Sequence, residues 1–482
     1  MNIGESRPDL REAESRVLGM QTKLHQWAIS DPGRRFDDLF NLVCDPAFLV
    51  VAWSRVRDNR GARSAGVDGV APRSIGLRSG KFLAELRDDL RARRFSPTRV
   101  REKMIPKAKG KLRRLGIPTA ADRVVQAAVK LVLEPIFEAD FKPSSYGFRP
   151  KRRAQDAIAE IHYLASPNRN YEWVFEADIT ACFDEIDHSA LMERVRRRIG
   201  DQRVLRLVKA FLRAGVLDEG GVSRESITGT PQGGILSPLL ANIALSVLDE
   251  HFARKWEALG PSWTRAKQRR AGVPVMRLIR YADDFVVMIS GTRGAADALW
   301  DEVTAVLSPM GLRLSEEKTR VCHIDEGFDF LGFRIQRRAW RGRGDERTVY
   351  TYPSKKALAS VMEKVRTLTR RELHRTLADL LHRVNLVLRG WCNYFRHGVS
   401  KQTFGYVDHY SWWKIVHWIR KRHLKLNWGT IRRRFLSHWE IHDGDAAMFR
   451  PRSVVVARYR FRGARIPTPW ASVGPGTPAP VA

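Results

Sequence analysis

The stretch RYADDFVVMI, residues 280 to 289, sets two adjacent carboxylates inside an otherwise apolar, β-branched run with a basic residue at its front. A strand buried in a core cannot carry unpaired charge, so such a run must either turn at the acids or neutralise them. RLIRYADDFVVMI breaks at Ala282-Asp283-Asp284 and resumes, and both arms are short enough for strands. Asp favours tight turns, so the pattern predicts a β-hairpin with Asp283 and Asp284 at or beside its turn. Successive side chains on a regular strand point to opposite faces, so both acids reach one site only where the turn breaks that alternation. Otherwise one of them is the weaker ligand.

A second strand pattern, YEWVFEADI, ends on Asp178. The following TACFDEIDHSALMERVRRRIG turns helical, with Leu191, Val195 and Ile199 on one face and Gly200 as its stop. If the two strands are neighbours, Asp178 and Asp283 converge into a cluster that repels itself unless a cation neutralises it. Oxygen donors with no His or Cys nearby favour Mg²⁺ over Zn²⁺. For any one Asp a turn or cap residue is the plainer account, and a lone Tyr-x-Asp-Asp arises by chance. The rest of the chain shifts that balance. Lys and Arg number 85 against 53 Asp and Glu, a net charge of +32, which points to a polyanionic partner. Two strand-end acids in so basic a chain suggest a metal-dependent phosphoryl-transfer site.

With 482 residues, 43% of them hydrophobic, the chain suits a soluble globular protein of several domains. No signal-peptide pattern opens it, and apolar runs such as AFLVVAW fall well short of the roughly 20 residues that span a bilayer. Cysteines at 44, 182, 322 and 392 are too scattered for a Cys-x-x-Cys metal site and too few for a disulfide framework. Near the start, Leu10, Ala13, Val17, Met20, Leu24 and Trp27 fall on one helical face behind a capping-box-like Asp9 and Glu12. RDNRGARSAGVDGV, 57 to 70, is Gly-rich and basic and predicts a loop able to follow a phosphate backbone. From about Phe95 to Phe333 short β-rich runs mix with helices, an α+β pattern; after Tyr350 the chain turns helical and basic. SWWKIVHWIRKRHLKLNWGTIRRR, 411 to 434, holds eight Lys/Arg, no acid and four Trp. That composition fits stacking on unpaired bases with phosphates on the cations, or a small bundle packed by Trp with a solvated basic face. His438 and His442 have metal-ligand spacing but no partner Cys or carboxylate pattern.

Further segments follow in order: IPKAKGKLRRLGIPTAADRVVQ (105 to 126), SSYGFRPKRRAQDAI (144 to 158), FEADITACFDEIDH (175 to 188), GTPQGGILSPLLANIAL (229 to 245), RYADDFVVMI, GLRLSEEKT (311 to 319) and FLGFRI (330 to 335). The series resembles the reverse transcriptases encoded by bacterial group II introns, also called maturases. RGWCNYFRHGVSKQTFGYVDHYSWWKIVHWIRKRH (389 to 423) is similar to that family's thumb, or X, region, so the resemblance covers roughly residues 55 to 435. It implies an α+β right-hand polymerase of fingers and palm followed by an α-helical thumb. The expected division is an N-terminal helical extension (1–60), fingers and palm (61–345), thumb/maturase X domain (346–435), a DNA-binding segment (436–470) and a disordered tail (471–482).

The resemblance also implies roles. Asp178, Asp283 and Asp284 would be the palm carboxylates, joined by the backbone carbonyl of Ile179. They would hold two Mg²⁺ ions about 4 Å apart that activate the primer 3′-hydroxyl and stabilise the departing pyrophosphate. Lys107 and Arg113 resemble the fingers residues that grip the triphosphate, with Lys109, Lys111 and Arg114 as rivals. Phe183 stands where such polymerases place an aromatic under the sugar, leaving no room for a 2′-hydroxyl, though a core Phe opening a helix has the same pattern. Gln232 would hydrogen-bond substrate, Gly233 and Gly234 would allow close backbone approach, and Ser237 would cap a helix with Pro238 at its first position. Lys318 resembles the palm lysine near the leaving phosphate, or is a surface lysine; FLGF supplies core residues in either case. Arg420, Lys421, Arg422, Arg432, Arg433 and Arg434 are the candidates for RNA contact.

The function so implied is an RNA-directed DNA polymerase that also binds its parent group II intron RNA to assist splicing and mobility. Its partners would be that RNA, an RNA template with a DNA primer, dNTPs and target DNA, with no membrane, in the bacterial cytoplasm and at the nucleoid when acting on DNA. Alternatives are an RNA-binding splicing cofactor with no polymerase role, or a defence or CRISPR-associated reverse transcriptase. After Cys392 there is no cysteine, whereas many relatives carry a C-terminal endonuclease with paired cysteines. The expectation is therefore no intrinsic DNA cleavage and the use of a pre-existing 3′ end.

Overall fold

The computed structural model describes residues 8–106, 112–218, 222–224, 228–230, 233–339, 346–371 and 374–470. In chain order the helices that matter here are α1 (Leu10–Ser30), α2 (Pro46–Arg57), α3 (Ala120–Glu138), α4 (Ala154–Leu164), α5 (His188–Arg196), α6 (Ser237–Ala258) and α7 (Ser262–Arg270). The C-terminal part adds α8 (Lys355–Arg371), α9 (Leu377–Phe395), α10 (Lys401–Arg422) and α11 (Trp428–Phe435). The α3 helix organises the first half, because a helix apolar on nearly every side has to be enclosed. Its cap follows from its sequence: the Thr119 hydroxyl accepts from the Asp122 N–H, and the buried Asp122 carboxylate accepts from Thr98 and Thr119.

α1 and α2 pack on α3, so the N-terminal helices share one core with the region that carries the acids. The expected apolar face of α1 is corrected. Leu10 and Trp27 are 38% and 39% exposed, and the inward face is Ala13, Val17, Gln21, Leu24, His25 and Ala28. Two polar residues go inside for a specific reason. Pro135 interrupts α3 and has no N–H to offer the carbonyl of Leu131, four residues earlier; the Gln21 amide donates to that carbonyl at 2.7 Å. His25 pairs with the Pro135 carbonyl at 2.8 Å, one of the last-turn acceptors that a helix leaves without an internal donor.

The strands are β1 (Val100–Pro106), β2 (Leu112–Ile117), β3 (Trp173–Ala177), β4 (Val216–Leu217), β5 (Ser223–Arg224), β6 (Val275–Tyr281), β7 (Asp284–Ser290), β8 (Arg320–His323), β9 (Phe328–Phe330), β10 (Phe333–Ala339), β11 (Arg347–Pro353), β12 (Leu436–Ser437), β13 (Glu440–Asp443) and β14 (Ala446–Ala447). Four form the central sheet in the order β6-β7-β3-β8, with each neighbouring pair antiparallel. A second sheet, β2-β1-β4-β5, stands beside it, and a third, β11-β10-β9, leads into the helical part. Phe333 on β10 packs against Tyr394 and Phe395 of α9, which joins the third sheet to the helices. α8, α9 and α10 close around their own core of Val365, Leu380, Val384, Ile415, Trp418 and Ile419.

After β14 the chain returns to the first half. Phe461 stacks on Tyr163, Arg462 pairs with the buried Asp156, and the Trp470 indole donates to Gln21. Three local expectations are corrected. α5 ends at Arg196, and Ile199 instead bridges Phe36; Gly200 lies beyond the helix, against the exposed Asp37 carboxylate. Leu236 is the N-cap residue of α6, which moves Ser237 and Pro238 to its first two positions. The Gly-rich stretch 57 to 70 begins on the last residue of α2 and is otherwise a loop except for one tight turn of helix, Arg60–Arg63. No helix among the described residues is long and apolar enough to cross a membrane.

Candidate active site

Tyr281 pairs with Asp284, so the hairpin turns on Ala282 and Asp283 alone. Ala282 has a φ of +60°, the positive first position of a primed two-residue turn, a conformation that costs a non-glycine residue of order 1–3 kcal/mol. Asp283 therefore projects from the turn and Asp284 from the first strand position, which resolves the alternation problem posed by their adjacency. Ala177 at the end of β3 pairs with Phe285, next to Asp284, and this brings Asp178 alongside.

A buried network holds the strained turn. The Arg280 side chain is fully buried, and each of its N–H groups has an acceptor. It forms two bonds to Asp249, at 3.0 and 2.5 Å, and one each to Asn242 (3.0 Å), the Ser145 hydroxyl (2.7 Å) and the Ala282 carbonyl inside the turn (2.8 Å). Asn242 in turn donates to the Gly147 carbonyl at 2.8 Å. Gly147 lies so close to the turn that a Cβ would come within 2.3 Å of the Ala282 nitrogen. Sequence reasoning saw Arg280 only as a basic residue ahead of the motif; the available signal was a guanidinium in a strand with apolar neighbours, which needs a buried partner.

A cleft of about 1220 Å³ is lined by Asp178, Ile179, Asp283, Asp284, Arg113, Phe183, Gly233, Gly234 and Lys318. Asp284 is exposed on the wall of this concavity, yet burial first, then repulsion from Asp283 and Asp178, pushes its carboxyl up to about 6. Burial and the Asp178 charge also raise Asp283, against the pull of Arg113 and Lys318. The Lys318 ammonium is hydrogen-bonded to Asp178. Among the described residues no three Asp, Glu, His or Cys side chains group closely enough to hold a metal ion, so the acids share a cleft without forming a ready three-carboxylate cage. The Ile179 carbonyl is not used by the local bridge to Leu314, whose bonds run from Thr180 N–H to Arg313 and from Ser315 N–H to Asp178.

Strand alternation separates two of the basic rivals: Arg113 lines the cleft, whereas Arg114 turns to Glu102 at 3.5 Å. Lys107, Lys109, Lys111 and Gln232 lie outside the described residues, as does the expected tail 471–482. Phe183 sits on a short helical turn, Cys182–Glu185, that Gly229 and Thr230 grip from one side. Gly233 does allow close approach, but its neighbour is the Gly116 carbonyl of β2. Sequence reasoning missed Trp300, Thr304 and Lys356, which also line the cleft and come from segments with no distinguishing pattern.

Away from the cleft, Arg420, Lys421 and Arg422 are exposed in the last turn of α10, and Arg432, Arg433 and Arg434 in that of α11. The Trp residues divide. Trp418 is buried and Trp412 partly so, while Trp413 and Trp428 are 43% and 40% exposed.

Comparison with known proteins matches residues 105–335 to the reverse transcriptase (RNA-dependent DNA polymerase) family and residues 358–437 to the group II intron maturase-specific domain. Protein YkfC of Escherichia coli K12 is 37% identical over 373 residues, covering 73% of this chain and 97% of the relative. The group II intron-encoded protein LtrA of Lactococcus lactis is 29% identical over 461 residues, covering 79% and 74%. A putative COX1/OXI3 intron 2 protein of Saccharomyces cerevisiae is 26% identical over 344 residues, covering 63% of this chain and 40% of its own length. With a reverse transcriptase domain, a maturase-specific domain after it and these relatives, the chain belongs to the bacterial group II intron-encoded reverse transcriptases, RNA-directed DNA polymerases with a part in intron splicing and mobility.

Proposed function

We propose that Asp178, Asp283 and Asp284 are the catalytic carboxylates of DNA synthesis on an RNA template, and that with the Ile179 carbonyl they hold two Mg²⁺ ions. Reverse transcriptase domains generally use divalent metal ions. The donor set fits a hard cation: the acids are oxygen ligands that repel one another in one cleft, and one of them already draws an ammonium group. Mg²⁺ keeps several waters and takes one or two carboxylates plus substrate phosphates, so it does not require a closed cage of three carboxylates. Bound there, the metal would supply charge for the attacking 3′-oxygen and the departing pyrophosphate.

The remaining roles belong to the protein's own side chains. Arg113 reaches the cleft from the β1–β2 hairpin and would take the triphosphate together with Lys107, with Gln232 on the incoming nucleotide. Phe183 would press against the sugar and exclude a 2′-hydroxyl. Lys318 would exchange Asp178 for the departing phosphate, a movement its 63% exposed side chain allows. Arg420, Lys421 and Arg422 with Arg432, Arg433 and Arg434 would contact the parent intron RNA on phosphates, with Trp413 and Trp428 available to stack. Of the 436–470 segment, the β12–β14 region is the part left for target DNA, because the chain beyond it is packed against the first half.

The mutually repelling carboxylates in one cleft carry this reading, and primer extension on an RNA template tests it. Asp178→Asn and Asp283→Asn should each lower the rate by more than about 10³-fold at unchanged primer–template affinity. Synthesis that survives either substitution removes the assignment.

A further inference from the structure

A cavity of about 380 Å³ opens along β6 on a flank of the central sheet that DNA synthesis does not use. Its walls alternate rings with guanidinium groups. Arg169 lies 4.1 Å from the Tyr163 ring centroid, Arg265 4.4 Å from that of Trp256, and Arg269 5.5 Å from that of Tyr171. The two carboxylates of the lining are paired within it, Glu160 with Tyr146 and Arg277 and Glu257 with Lys142. Neither Arg169 nor Arg269 has a carboxylate partner among the described residues. Tyr171 is 1% exposed beneath the Arg269 guanidinium.

The helix beside the cavity is unusual in the same direction. α7, SWTRAKQRR, contains no acid and no buried residue, and it holds Trp263 70% exposed beside Lys267 and Arg270. A single exposed basic helix is ordinarily a solvated face. Here it borders a cavity of rings and guanidinium groups, two of which, Arg169 and Arg269, have no carboxylate partner among the described residues, and an indole in water at its start adds a stacking surface.

Topology separates this surface from the acids. β3 and β6 are both antiparallel to β7 and therefore run parallel to each other. Arg169 and Tyr171 precede β3 and α7 precedes β6, whereas Asp178 and Asp283 follow those strands. The seven residues of β6 put about 20 Å between the two ends. A strand held at α7 is thus not the primer end held at Asp283.

We infer that this flank is a second RNA-binding surface, which takes an unpaired nucleotide of a single-stranded or looped RNA segment. Its base enters beside the exposed Trp263 indole at the rim of the cavity, and its phosphates lie on Arg169, Arg269 and Arg270. An acidic protein would satisfy the cations and leave the rings and the cavity unused; a nucleotide uses all three. The inference rests on the family's action on RNA and adds a site for it apart from the α10–α11 region.

The test uses the full-length protein and a short single-stranded RNA carrying 4-thiouridine, with an unlabelled RNA–DNA primer–template saturating the cleft. Crosslinks should fall in residues 163–171 and 262–270 and persist with the cleft filled. Trp263→Ala, and separately Arg169→Ala with Arg269→Ala, should weaken RNA binding about tenfold and leave primer extension unchanged. Crosslinks abolished by primer–template, or variants that bind normally, overturn the surface. A DNA strand of the same sequence, or an acidic polypeptide, that displaces the RNA equally well overturns the choice of RNA. Failure of wild-type primer extension with the crosslinks intact would count against the polymerase reading alone.

Discussion

Arg280 and Asp249 form an ion pair that solvent does not reach, with both side chains fully buried and the guanidinium also bonded to the carbonyl of Ala282 in the acid-bearing turn. Charge taken this far from water persists only when every donor is met, and here every one is. The pair thereby couples helix α6, which supplies Asp249 and Asn242, to the position of Asp283. Removing one partner leaves the other charge buried and alone, so Asp249→Asn or Arg280→Met should destabilise the fold by about 3–5 kcal/mol. Arg280→Lys keeps the charge but loses the fork, and should lower primer extension at temperatures where circular dichroism still reports a folded protein. Full activity in a folded Arg280→Lys protein would remove Arg280 from any part in holding the turn.

Gly147 is tied to the same turn by space. A methyl group there must displace the Ala282 backbone, and a shift of about 1 Å at reacting groups can cost on the order of 100-fold in rate. Gly147→Ala should therefore cut the turnover of primer extension by about that factor. Gly390→Ala, where a Cβ meets nothing within 4 Å, is the control and should be silent.

Phe183 lines the cleft with Asp178 and is held from behind by Gly229 and Thr230. Phe183→Val leaves that clamp in place and shortens only the ring. The ratio of dNTP to NTP incorporation should fall by about tenfold or more. An unchanged ratio would remove Phe183 from sugar selection.

His162 gives a pH dependence with a definite sign. Burial, then the neighbouring Arg458 guanidinium, which donates to its ring at 2.9 Å, holds its pKa down to about 4 against an ordinary 6.5. The unfolded chain therefore binds a proton that the folded chain refuses, and stability falls as pH drops from 6.5 toward 4. The loss between pH 7 and 5 is at most about 2 kcal/mol. Asp140, which burial raises to about 6, works in the opposite sense, so the readout is the difference in melting temperature between wild type and His162→Gln across that range. The two curves should diverge below pH 6.5; parallel curves would mean that His162 carries no such term.

The hairpin, its two acids and the strand that leads into Asp178 were legible because each is a local pattern: apolar β-branched arms, a turn-forming pair and a break in periodicity. The α1 face was misread because burial of Gln21 and His25 depends on carbonyls that Pro135 and the end of α3 leave without internal donors. Those carbonyls lie more than a hundred residues further along, where no window over α1 can find them.

By itself the sequence determined the chain's family, its α+β architecture and its polyanionic partner, since ordered motifs and net charge survive any arrangement of the elements. Only the tertiary structure decided what holds the acids in place and which of two adjacent arginines faces them. Arg280, Asp249, Asn242 and Gly147 are scattered between positions 147 and 280, and Arg113 and Arg114 differ only in which side of β2 they occupy. The physical reason is that a buried charge is stabilised by partners in space. Sequence can announce that such partners are needed, and folding alone selects them.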